Sequence, residues 1–184
     1  MAIYNNMKRI QTFLLALLCL TSCIKEKQTG ADLSVGDRIP DFDVMMNDGT
    51  VVSGAQLSKG VCCIVFFTTG CNDCKATLPH IQNLYDDYAS QGVEFVLISR
   101  EDDAVSVGRH WSQQGYTMPF SAQSDRHIYE LFARTRVPRI YMCEDGIVRH
   151  IFTDSPIPTY VDLKDAIDLM LGLSVAESCD GKFY

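Results

Sequence analysis

The chain has 184 residues, of which 47% are hydrophobic, enough for one well-buried core and too few for two full domains. Its 16 basic residues stand against 23 acidic ones, a net charge of −7, which excludes the basic footprint of a nucleic-acid or anionic-lipid binder. It has no internal repeat, no low-complexity tract and no Gly-rich phosphate loop, so most of the functional signal falls to its 8 cysteines.

The chain opens with Lys8 and Arg9, then an apolar run from Ile10 to Leu20 that is too short for a stable membrane span and reads as a signal peptide. Thr21 and Ser22 directly before Cys23 resemble a bacterial lipobox, in which the cysteine is diacylated and becomes the new N-terminus. The alternative is an ordinary secretory signal cut nearby, with Cys23 incidental. On the lipobox reading, residues 1–22 are the signal peptide, residues 23–33 a polar tether and residues 34–184 the folded domain. The processed chain keeps 14 basic against 23 acidic residues, a net charge of −9. More than one acyl chain holds a protein stably to a bilayer. The expected location is the bacterial cell envelope, with the domain outside the cytoplasm and facing the periplasm.

After the tether, "PDFDVMMNDGTVV" alternates apolar positions on both sides of Asp48-Gly49, a short hairpin signal. "VCCIVFF" is an uninterrupted apolar run, a strand buried on both faces. Thr68, Thr69 and Gly70 turn the chain into "CKATLPHIQNLYDDYASQG", with Leu78, Ile81, Leu84, Tyr85 and Tyr88 at helical spacing and Gly92 as the stop. The strand "VEFVLISR", a helix over residues 102–114, the segment "YTMPF" and a short helix over residues 125–132 follow. "RIYMC", the turn Asp145-Gly146 and "IVRHIF" form an antiparallel hairpin, and "YVDLKDAIDLMLGL" is an amphipathic closing helix. This order is α/β.

Cys19 leaves with the signal peptide and Cys23 takes the lipid. Among the rest only Cys71 and Cys74 have a motif spacing, and an exported compartment permits disulfides. Cys62 and Cys63 are strand neighbours pointing to opposite faces, hence core residues. Cys143 ends an apolar run and Cys179 lies in the tail; nothing local supports a disulfide between them. Zinc would need two more ligands beside the pair, yet there is no second CxxC or HxxxH, and His80, His110, His127 and His150 are scattered singly. No metal is expected.

The thiolate is the nucleophilic form of cysteine, and a helix start stabilises negative charge on sulfur. Cys71 is therefore the expected attacking residue, with Cys74 one turn later resolving the mixed disulfide.

In this order, the opening "VGDRIPDFDV", the strand leading into Cys71-Asn72-Asp73-Cys74, Pro79 five residues on and "RVPRIYMCEDGIV" resemble the thioredoxin superfamily, in particular its TlpA/ResA-like, redoxin-type membrane-tethered oxidoreductases. The resemblance covers about residues 35–173. It implies a thioredoxin-like fold: a central mixed β-sheet flanked by helices, with an N-terminal β-hairpin and a βα insertion. Pro138 is then the cis-proline facing the site, and the backbone of Val137 pairs with a bound substrate segment like an added strand. The implied activity is exchange of the Cys71–Cys74 pair with exported thiol or disulfide proteins or small thiols. It needs a redox partner to give or take electrons and no dissociable cofactor.

The chain also departs from that pattern. Gly70 stands where the family usually has Trp, and the single tryptophan is Trp111. Thr77 stands where many members have a proton-relaying Glu; Glu101 and Glu144 are the candidate substitutes, each with a plain surface reading. Asp73 should raise the thiol pKa values and Lys75 should oppose it. Arg139 replaces the usual Thr after the cis-proline and favours a Cys71 thiolate if it faces the site. Two other functions compete. Thr68, three residues before Cys71, matches a peroxiredoxin-like peroxidase, although Ile64 stands where that family's proline belongs. A non-catalytic binding module stapled by a permanent Cys71–Cys74 bridge is the other.

Overall fold

The computed structural model describes residues 32–173. The expected signal peptide, Cys23, the tether as far as residue 31 and Cys179 lie outside the described residues.

A five-stranded sheet forms the centre, in the order β5 (Phe120–Ser121), β4 (Glu94–Ser99), β3 (Val61–Phe67), β6 (Arg139–Glu144), β7 (Ile147–Phe152). Strand β3 (Val61–Phe67) has all its residues buried, as its unbroken apolar run requires. Strand β4 (Glu94–Ser99) pairs with it in parallel, and β5 (Phe120–Ser121) pairs with β4 in parallel. On the other side, β6 (Arg139–Glu144) pairs with β3 antiparallel, and β7 (Ile147–Phe152) pairs with β6 antiparallel. The sheet is thus mixed. Parallel neighbours need helical crossovers, supplied by α1 (Asn72–Tyr88) between β3 and β4 and α2 (Ala104–Gln114) between β4 and β5. A separate hairpin, β1 (Asp43–Met45) with β2 (Val51–Ser53), turns at Asp48-Gly49. The Asp48 carboxylate accepts from the Thr50 amide and hydroxyl there, and Gly49 supplies a φ of +86°.

The expected elements are present with moved ends. Helix α2 starts at Ala104, not 102, because the Asp103 carboxylate caps it by accepting from the amides of Val105 and Ser106. The short helix over residues 125–132 shrinks to one turn, α3 (His127–Glu130). The closing helix α4 (Tyr160–Met170) is started by a capping box between Thr159 and Asp162.

Two aromatic clusters fill the two faces of β3, as alternation demands. Phe66 packs on Tyr129, Phe132 and Tyr141; Phe67 packs on Trp111, which also contacts Tyr116 and Phe120. The single tryptophan is therefore a core residue, its indole N–H donating to the Met118 carbonyl at 2.8 Å. Leu33, at the end of the expected tether, is buried and its amide donates to the Phe132 carbonyl.

Candidate redox site

Strand β3 ends at Phe67, and the turn Thr68-Thr69-Gly70 delivers Cys71 to the N-cap position of α1. The turn is pinned from β4: the Arg100 amide donates to the Phe67 carbonyl at 2.8 Å, and the Asp102 carboxylate accepts from the Thr69 amide at 2.7 Å. The Cys71 sulfur does the work of a capping oxygen, accepting from the Cys74 amide at 3.3 Å. Cys71 is half-buried, while Cys74, one turn inside the helix, is fully buried. Burial pushes the Cys74 thiol up, with smaller contributions in the same direction from the Cys71 thiol and the Asp73 carboxylate.

The Val137–Pro138 bond is cis, and the Cys71 thiol donates to the Val137 carbonyl at 3.4 Å. The structure thus brings together the four residues Cys71, Cys74, Val137 and Pro138. The loop before Pro138 is held by the Tyr129 hydroxyl, whose single proton is shared between the carbonyls of Thr135 (2.5 Å) and Arg136 (2.6 Å). Asp102 and Tyr129 had no motif to mark them; they act on backbone groups that only the fold brings near.

Other candidates fall elsewhere. Gly70 is exposed, and Trp111 is committed to the core. Thr77 is buried and donates to the Asp73 carbonyl at 2.8 Å, a bond within the helix. Glu101 is paired with Arg100 on the surface. Glu144 pairs with Arg149 at 3.0 Å and lies opposite Val61, at the end of β3 remote from Cys71. Lys75 is exposed on α1. Arg139 does not lie on the surface: it is buried and ion-paired with Asp32 at 2.8 Å. The surface reading of Arg139 is corrected by that burial. Cys62 and Cys63 are core residues on opposite faces, and Cys62 sits across from Cys143 in the β3–β6 register. Ile64 is fully buried in β3, between Val96 and Tyr141, a central-strand position where proline would break the ladder.

This sheet order, with a CxxC opening the first crossover helix and a cis-proline across from it, defines the thioredoxin-like class of thiol-disulfide oxidoreductases. The chain belongs to the Redoxin family, whose model matches residues 34–169. Two similar relatives are thiol-disulfide oxidoreductases named ResA. That of Oceanobacillus iheyensis is 31% identical over 112 residues, 58% of this chain and 58% of the relative. That of Bacillus subtilis is 26% identical over 137 residues, 71% of this chain and 76% of the relative. Among solved structures, a thio-disulfide isomerase from Thermus thermophilus superposes with a TM-score of 0.61 at 26% identity, covering 75% of this chain and 97% of that one. A thiol:disulfide interchange protein from Chlorobium tepidum gives 0.65 at 22% identity, covering 77% and 100%.

Proposed function

We propose that the protein is an envelope thiol-disulfide oxidoreductase, held to the membrane by a lipid on Cys23, that exchanges its Cys71–Cys74 pair with exported protein or small-molecule thiols and disulfides. The observation that carries this reading is the asymmetry of the pair: a half-exposed sulfur on a helix N-cap, backed by a buried thiol one turn behind.

In the reducing direction, the Cys71 thiolate attacks one sulfur of a substrate disulfide, forming a mixed disulfide and releasing the other substrate sulfur as a thiolate that takes a proton. Cys74 then loses its proton and attacks Cys71. The second substrate sulfur leaves as a thiol, the substrate has gained two electrons and two protons, and Cys71–Cys74 is oxidised. A redox partner returns those electrons. The oxidising direction is the same path reversed. Burial keeps Cys74 protonated until the mixed disulfide forms beside it.

The test equilibrates the purified full-length chain against glutathione and dithiothreitol buffers and quantifies the Cys71–Cys74 disulfide by thiol trapping and mass spectrometry. A potential near about −270 mV assigns a reductant and one near about −120 mV an oxidant. A bond that never exchanges overturns the reading in favour of a stapled binding module. For the anchor, Cys23→Ser should move the protein from the membrane to the soluble fraction; retention in the membrane would remove the lipid from the proposal.

A further inference from the structure

Arg139 is the first residue of β6 and follows Pro138 directly, yet its side chain is only 8% exposed. Its Nη2 donates both to the Asp32 carboxylate at 2.8 Å and to the Thr135 carbonyl at 3.2 Å. The other Asp32 oxygen accepts from the Arg134 amide at 2.8 Å. One carboxylate therefore holds both ends of the loop 134–139. Between those ends, Arg136 has a φ of +71°, the left-handed region that a non-glycine residue occupies only when its surroundings hold it there. The next residue is Val137.

An ion pair between a buried guanidinium and a partly exposed carboxylate contributes little net stability, so stability alone does not account for this one. Its geometry does something apolar packing cannot: it fixes the loop that aims the Val137 carbonyl at Cys71. The carbonyls of Thr135 and Arg136 are already taken by Tyr129 and Arg139, while that of Val137 is held by the Cys71 thiol. Once Cys71 enters a mixed disulfide it has no S–H to donate, and the Val137 carbonyl is left for an N–H of the attached chain. A small disulfide brings no such N–H.

We infer that Asp32 and Arg139 are positioning residues for polypeptide substrates: their ion pair sets the cis-proline loop so that an extended, cysteine-bearing segment docks beside Cys71, while exchange with small disulfides does not depend on it. This rests on the oxidoreductase reading above. Both contacts come from one nitrogen, so a lysine ammonium, with several donors of its own, reproduces them only as far as its shorter and differently shaped head reaches the same point.

The experiment compares the full-length wild type with Arg139→Met, Arg139→Lys and Asp32→Asn, using a cystine-bridged peptide and bis(2-hydroxyethyl) disulfide as substrates. The expected result is a rise of about tenfold in KM for the peptide in Arg139→Met and Asp32→Asn, with turnover of the small disulfide within about twofold of wild type. Arg139→Lys should recover part of the loss, and a variant combining Asp32→Asn with Arg139→Met should be no worse than Arg139→Met alone, since both changes remove one interaction. An unchanged peptide KM in folded variants overturns the inference, as does an equal loss on both substrates that tracks the fraction of folded chain. Should Arg139→Met fail to fold, Asp32→Asn decides alone, its side chain being 37% exposed and its amide oxygen still able to accept from Arg134. A wild type that turned over neither substrate would overturn the oxidoreductase reading and this inference with it, a pattern distinct from failure of the variants alone.

Discussion

The amide of Cys74 donates to the sulfur of Cys71 at 3.3 Å, so the proposed nucleophile caps the helix that also carries its resolving partner. A thiolate accepts that bond better than a thiol, and the arrangement separates the two cysteines chemically as well as in exposure. Burial, the Cys71 thiol and Asp73 push the Cys74 thiol up, so its protonated form persists as pH rises through neutrality. Iodoacetamide applied to the reduced, folded chain at pH 7 should therefore modify Cys71 ahead of Cys74. Raising the pH to about 9 should leave Cys74 still protected, because its folded pKa lies above that range. Peptide mapping with time reads the order; alkylation of Cys74 at the rate of Cys71 would remove the asymmetry on which the proposed function stands.

The same geometry makes Cys71→Ser an informative variant. Serine is a good N-cap, so helix α1 keeps its start and the melting temperature should stay within a few degrees of wild type. Exchange should be lost, since a hydroxyl cannot form the mixed disulfide. Retained turnover in a disulfide-reductase assay would place the nucleophile elsewhere.

How far this site was legible depended on which groups interact through the sequence and which through the fold. The CxxC and its strand-to-helix seam are local patterns that appear where their spacing indicated, and the cis-proline stands at Pro138, where the resemblance implied it. Asp32, Asp102 and Tyr129 act on backbone atoms 102, 33 and 6 residues away. Hydrogen bonds to main-chain groups leave no residue-type signature at the receiving end. The partner of Arg139 is hidden for the same reason: Asp32 lies far off in the sequence, and only the fold brings the two together. Helix ends moved where caps such as Asp103 competed with apolar periodicity.

Helices α1 and α4 are joined by a buried polar contact whose pH dependence has a defined sign. The Tyr88 hydroxyl donates to Asp168 at 2.6 Å, and Lys164 pairs with the same carboxylate. Burial pushes the Asp168 carboxyl up, but the bonds from Lys164 and Tyr88 outweigh it and hold the group below its ordinary value of 3.8. A depressed folded pKa contributes stability that is present above the unfolded value and lost as pH falls through the folded one. Asp168→Ala should cost about 1–3 kcal/mol at pH 7, because it strands the buried Tyr88 hydroxyl. Asp168→Asn keeps an acceptor for Tyr88, should cost less, and should flatten the loss of stability below about pH 4. Urea denaturation of both variants across pH 3–7 checks this; parallel wild-type and Asp168→Asn curves would show that the pair does not set the acid limb.

Gly54 is required by space rather than by backbone angle. A Cβ there would stand 2.4 Å from the Pro40 carbonyl oxygen and 3.3 Å from the Phe42 ring, and the Gly54 amide donates to the Phe42 carbonyl at 2.8 Å. The obstructing atom is backbone, so the segment cannot yield by turning a side chain. Gly54→Ala should destabilise the fold by about 1–3 kcal/mol, as overpacking does. A thermal melt should show a fall of several degrees; an unchanged midpoint would mean that the segment before β1 shifts freely.

Asp102 sets the turn that presents Cys71, although it touches neither cysteine's hydrogen-bonding atoms. Its carboxylate accepts from the Thr69 amide at 2.7 Å while its own carbonyl accepts from the Ser99 hydroxyl, tying the turn to the end of β4. Removing the acceptor in Asp102→Ala leaves the Thr69 amide without its partner and frees the turn two residues before the attacking sulfur. Small displacements of a reacting group are costly in rate, so turnover should fall by roughly tenfold or more. Asp102→Asn retains an oxygen at that position and should keep most of the activity, which separates loss of position from loss of charge. Disulfide-reductase kinetics on the two variants decide between these causes: equal losses would identify the negative charge of Asp102, acting on the sulfurs from a distance, as the quantity that matters.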